Sequence, residues 1–152
     1  MSSHDIPTEP QEDPAETIMA ALAHGMNGDR QAGLALLKPF FDTPRTLVSL
    51  CAALAEGPAS SIRPSNPNAE GVALIALRGG KPANIQDAPA GHRFAAQFTS
   101  VWANGDKQTA YALFDALHGS GSEEDADAVA EGVFQLYEMS VAWARSLTNR
   151  PA

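Results

Sequence analysis

The chain has 152 residues, 18 acidic against 10 basic, and a formal net charge of −8, which is room for one domain with a buried core and little more. Its bases are scattered singly, so neither a nucleic-acid phosphate surface nor an anionic membrane surface is expected, and no apolar run approaches the roughly 18 residues of a spanning helix. A single cysteine, Cys51, excludes an internal disulfide framework, and within LVSLCAALA it reads as a small apolar core residue.

In chain order, the opening MSSHDIPTEPQEDPAE places Asp5, Glu9, Glu12, Asp13 and Glu16 together without a Lys or Arg. Residues 1–12 are expected to form an acidic tail outside the core, with none of the apolar stretch of a secretory signal, which fits a cytoplasmic protein. Alanine richness and more Arg than Lys fit a bacterial gene of high GC content. Order is expected from residue 13 to about 150 as one helical domain.

DPAE sets Asp13 as N-cap, Pro14 in the first turn and Glu16 at the capping-box position. Ile18, Met19, Leu22 and Met26 then follow at helical spacing on one face, and the helix is expected to end near Met26. In NGD, Gly28 can close that helix in a left-handed conformation while Asp29 caps the next. The second helix carries Leu34, Leu37 and Phe41, with Leu36 and Phe40 beside them, and Pro39 ends it near Lys38. The third has Thr43 as cap, Pro44 in its first turn and Leu47, Leu50, Cys51 and Leu54 as its stripe, with Gly57 and Pro58 as its stop.

Residues 58–71 read as an exposed linker, and VALIAL at 72–77 as a short strand. Such a strand needs a partner for its backbone groups, either ANIQ across RGGKP or the same strand of a second subunit. A strand or hairpin over about 72–86, within a linker of 58–87, is therefore expected. A fourth helix carries Phe94, Phe98, Val101 and Trp102; Asp106 caps a fifth with Tyr111, Phe114 and Leu117. Ser122 caps a long sixth helix to about Leu147, apolar over a wide arc and hence central.

The stretches MNGDRQAGLALLKPF and ANGDKQTAYALFDAL share an offset of 77, with six identities over residues 27–41 against 104–118. The chain is therefore expected to be mainly all-α, about six helices in two pseudo-repeated three-helix units, 13–57 and 88–148. The first helices match poorly, with Leu22 falling on Thr99 and His24 on Val101. The connector with its Ala and Leu positions resembles the helix-pair turn of tetratricopeptide-like repeats. That family's Trp, Gly, Tyr and Pro spacing is missing, and the resemblance implies a helical hairpin only.

For chemistry, Asp29 and Asp106 could form a symmetric acidic pair, but an N-cap accounts for Asn, Gly and Asp together. Glu124, Asp127 and Glu131 lie at three- and four-residue spacing, a pattern that locally resembles the Mg²⁺-binding helices of all-helical nucleotide pyrophosphatases. The second acidic pair those enzymes use is missing, and acids in a first turn also complement the helix dipole. His4, His24, His92 and His118 include no two at ligand spacing, and His118 suits a helix C-terminus. Arg78, Lys81 and Arg93 read as solvated charge or a small anion site.

The functional expectation is a non-enzymatic interaction module, an adaptor or regulator, forming a homodimer and binding a protein partner, with no cofactor, metal or catalytic set. Its candidate interface is Val72, Leu74 and Ile75 on the strand and Trp102 beside the second NGD. Alternatives are a Mg²⁺-dependent nucleotide hydrolase built on Glu124 and Asp127, or an acidic mimic that occupies a nucleic-acid-binding protein.

Overall fold

Helix ends in this chain are fixed by side-chain oxygens that take up orphan backbone N–H groups. In the computed structural model, which describes residues 13–62, 76–78, 81–83, 89–119 and 121–148, Asp13 Oδ1 accepts from Ala15 N at 3.0 Å and opens α1, Pro14–Met26. Asp29 Oδ1 accepts from Ala32 N at 3.2 Å and opens α2, Arg30–Leu37. Pro39 follows at once and the chain tightens into a 3-10 turn, Lys38–Asp42. Thr43 Oγ1 accepts from Thr46 N at 3.1 Å ahead of α3, Pro44–Ile62. In the second half α4 is Ala90–Ala103, Asp106 caps α5, Lys107–His118, and Ser122 Oγ accepts from Asp125 N at 3.1 Å at the start of α6, Glu123–Thr148.

The two NGD connectors are locally superposable in their hydrogen bonding. Gly28 and Gly105 take φ of 85° and 77°, where only glycine is unstrained. Asp29 N donates to His24 O at 2.8 Å and Asp106 N to Val101 O at 3.0 Å. Each Gly thus stops one helix and each Asp starts the next, as the sequence implies.

The architecture is a helical bundle around α6, which packs against α1, α3, α4 and α5. Its inward residues Val129, Val133, Leu136, Tyr137 and Val141 meet Leu50, Leu54, Phe94 and Phe98 in one core. Phe94, Phe98 and Trp102 form an aromatic ladder along α4, with centroid separations of 5.2 and 5.7 Å. Tyr137 is wholly buried; its hydroxyl donates to Ala21 O at 2.6 Å, and Arg145 Nη2 donates to Gly25 O and Met26 O, each at 3.1 Å. With the Arg30–Glu138 ion pair, these contacts fasten the α1–α2 hairpin onto α6.

Three expectations are corrected. The helix expected to stop at Gly57 and Pro58 runs through both to Ile62. Pro58 deprives Leu54 O of its i+4 donor, but Gly57 lets α3 press on the Trp143 ring, which any Cβ at that position would overlap, and this tertiary contact outweighs the local stop signal. The expected strand or hairpin over 72–86 is not an architectural element: the fold is helical, and among the described residues strand pairing joins Ala76–Arg78 to Lys81–Ala83, in the register Leu77 opposite Pro82. Pro82 has no N–H to give; Val72, Leu74 and Ile75 lie outside the described residues. The three-helix units, finally, are not equivalent. α4 packs extensively on α6, whereas α1 scarcely touches α3 and packs on α2 and α6 instead, so the repeat is shared at the connectors and not in the packing. Among the described residues no helix is long and apolar enough to cross a membrane.

Candidate functional site

Because α1 does not close on α3, an open cleft follows the seam between them. Towards one end it is walled by α1, α3 and α6 and has a volume of about 300 Å³, lined by Ile18, Met19 and Leu22, by Glu56 and Gly57, and by Trp143. Towards the other end a wider recess of about 590 Å³ lies among Pro14, Thr17, Leu36, Phe40 and Thr46, where α1, α2 and the 3-10 turn meet the start of α3. Among the described residues no charged side chain lines the wider recess. The narrower one combines an aromatic, a flexible thioether and one carboxylate, the mixed lining that binding sites favour.

Each wall has a sequence cause. Met19 belongs to the helical pattern of Ile18 and Leu22, yet it is 68% exposed while Ala21 and Leu22 turn inward. The buried face of α1 is therefore Ile18, Ala21, Leu22 and Gly25, rotated from the stripe that the large residues alone suggest. Gly25 and Gly33 let the Tyr137 hydroxyl pass where a Cβ would overlap it, so the hairpin tilts towards α6 and Met19 is left on the lip of the cleft. Trp143 is half-buried and forms its floor over Gly57.

Glu56 ties the cleft to the core. Its Oε1 accepts from Trp102 Nε1 at 2.8 Å, while the residue also lines the cleft. Trp102 is 8% exposed, stacks on Phe98 at an interplanar angle of 8°, and has Lys107 Nζ 5.4 Å from its ring centroid. The expectation of Trp102 as an interface residue is corrected: the aromatic is a core residue, and its contribution to the surface is to hold Glu56 in place.

The remaining candidates are structural. Asp13, Asp29, Thr43, Asp106 and Ser122 are the caps the sequence marks. Asp106 accepts from both the N–H and the hydroxyl of Thr109, at 3.1 and 2.6 Å, and these bonds hold its pKa below the ordinary carboxylate value. Asp29 accepts at 3.2 Å from the backbone N–H of Ala32, a residue without a hydroxyl, so the two aspartates are caps of unlike strength rather than a symmetric pair. Glu124 and Asp127 are exposed, but Glu131 accepts from Gly91 N at 3.0 Å, at the start of α4, and lies 3.9 Å from His92 Nδ1. Its carboxylate thus serves as an N-terminal cap from a neighbouring helix. Among the described residues no three of His, Cys, Asp and Glu are grouped so as to hold a metal ion. His118 stacks on Phe114 at 5.8 Å. Cys51 is fully buried, and burial pushes its thiol up to about 12, far from the range of a reactive thiolate.

Sequence reasoning missed Met19, Glu56 and Trp143 as members of one site. The traces were there in Ala15 on α1 and Ala53 on α3, small residues that both line the cleft, but only the tilt of the hairpin turns them into an opening. No protein-family model, curated protein or solved structure matches the chain.

Proposed function

We propose that this chain is a protein-interaction module, an adaptor or regulator, whose cleft between α1, α3 and α6 receives apolar side chains of a protein partner. The observation that carries this reading is Met19, a large apolar residue 68% exposed on the lip of a cleft floored by a tryptophan. An unbranched thioether beside an aromatic adapts to varied side chains, and clusters of this kind anchor protein contacts. Its size, about 300 Å³, lies at the lower edge of small-molecule pockets and suits an anchoring side chain or two better than a cofactor.

The homodimer expected from the sequence has a weaker motive, because the pairing of Ala76–Arg78 is with Lys81–Ala83 of the same chain. A distinct protein is therefore the partner of choice. A photo-crosslinking residue placed at position 19 in the native host should give one discrete adduct, and the same residue at exposed position 112 on α5 should not. No adduct from position 19, or equal adducts from both, would refute the proposal, and an adduct of twice the chain mass would restore the homodimer.

A further inference from the structure

The chain carries four methionines and one cysteine, and the fold treats their sulfurs unequally. Met1 lies outside the described residues. Met26 and Met139 are partly buried and packed against the core. Cys51 is fully buried, and burial keeps it the unreactive neutral thiol. Met19 differs from all three: it is largely exposed and lines the cleft together with Ile18, Leu22 and Trp143. Among the described sulfurs, the one that an oxidant in solution reaches most readily is therefore the one that makes the lip of the cleft apolar.

We infer that Met19 is an oxidation site that controls the cleft, a hydroperoxide converting it to the sulfoxide and so releasing the protein partner. This rests on the reading of the cleft as a docking site and adds to it a means of regulation. A lone pair of the sulfur attacks the outer peroxide oxygen, the O–O bond breaks and an S–O bond forms. The proton passes to the departing oxygen, which leaves as an alcohol, or as water from hydrogen peroxide. Sulfur is oxidised by two electrons and the peroxide is reduced by two. A thiol-dependent sulfoxide reductase reverses the step, two thiols giving a disulfide while the oxygen leaves as water. The position decides the effect. A sulfoxide oxygen is a strong hydrogen-bond acceptor, and a docked partner would strip it of water beside Ile18, Leu22 and Trp143; Ser60, a hydroxyl of the same lining, already donates to Gly57 O at 2.6 Å. Desolvating a polar atom without a partner is costly enough to weaken binding about fivefold or more. The docked partner covers the sulfur, so the reaction acts on the free chain and holds it in that state.

The test keeps Met19 and places a photo-crosslinking residue at position 15, which is exposed and lines the same cleft. The purified full chain is treated with limiting hydrogen peroxide, mapped by tandem mass spectrometry and irradiated in an extract of its native host. Met19 should take up oxygen before Met26 and Met139, the discrete adduct should fall about fivefold or more with Tm unchanged, and a sulfoxide reductase should restore it. In Met19→Leu the adduct, whatever its starting yield, should be insensitive to peroxide. Oxidation of Met26 or Met139 ahead of Met19 overturns the inference, as does an undiminished adduct from the Met19 sulfoxide, an equal loss in Met19→Leu, or a fall in Tm that traces the loss to unfolding. Each of these leaves the docking site in place, because the untreated chain still gives its adduct. No adduct from position 15 before peroxide is added removes the docking reading and the inference with it.

Discussion

Tyr137 shows how much one hydroxyl can organise. Its bond to Ala21 O, 2.6 Å long and wholly buried, lies between Gly25 and Gly33, and the hairpin can approach α6 only because neither has a side chain. Tyr137→Phe should cost about 1 kcal/mol, a fall in Tm of about 2–4 °C. Gly33→Ala should cost more, about 1–3 kcal/mol, because the added methyl also meets Ala21 O at 2.6 Å; thermal melts of the two variants would rank them. Cys51 sets a pH limit. Its thiol ionises at 9.0 when unperturbed and at about 12 in the folded chain, so between those values the unfolded state releases a proton the native state keeps. Stability should therefore be intact below pH 9 and fall as pH rises towards 12. Burial raises the Tyr137 phenol too, which adds a loss of the same sign. Urea midpoints at pH 8 and pH 10.5 should diverge in the native chain and diverge less in Cys51→Ala. Asp106 works in the opposite sense: its depressed pKa makes its contribution present at neutral pH and lost as the solution is acidified, and Asp106→Ala should lower Tm at pH 7 more than Asp29→Ala does.

At the scale of the element, local punctuation was legible wherever one residue performs one backbone task. Asp13, Asp29, Thr43, Asp106 and Ser122 all cap, and both NGD glycines take the left-handed turn, because these outcomes depend on neighbours within four residues. Gly57 and Pro58 were misread for the complementary reason. The contact that keeps α3 helical through them is with Trp143, more than eighty positions away in the chain, and nothing in AEGP announces it. Gly57→Ala gains about 1 kcal/mol of helix propensity but must displace the indole ring, so the substitution should destabilise the chain in urea melts and alter Trp143 fluorescence. The cleft was illegible for a related reason. The stripe of Ile18, Met19 and Leu22 fixes that α1 has an apolar face, while the rotation of that face is decided by Tyr137 and two glycines, one of them on another helix.

For the whole molecule, α6 is the organising member, and the α1–α2 hairpin is attached to it along α1. α1 rests on α6 through Tyr137 and Arg145, α2 through the Arg30–Glu138 pair, and α1 has almost no seam with α3. Regions with fewer packed neighbours open at lower free energy than the global transition. Amide exchange should therefore be faster in α1, α2 and α5 than in the buried stretches of α3, α4 and α6. Arg145→Ala should speed exchange in α1 selectively; a uniform increase across all helices would show that the hairpin opens only with the rest. An attachment of this kind suits a docking element, since the width of the cleft can adjust to its occupant at small cost.

The two connectors have a further chemical consequence. Asn27–Gly28 and Asn104–Gly105 are exposed Asn-Gly pairs, the dipeptide most prone to deamidate through a succinimide ring, which forms when the glycine nitrogen attacks the asparagine side chain. In the folded chain those nitrogens are engaged, Gly28 N to Gly25 O and Gly105 N to Trp102 O, each at 3.0 Å. Native connectors should therefore age slowly and frayed ones quickly. Each event would write an extra negative charge, often with a lengthened backbone, into the joint between two helices, leaving a chemical record of how often that joint has opened.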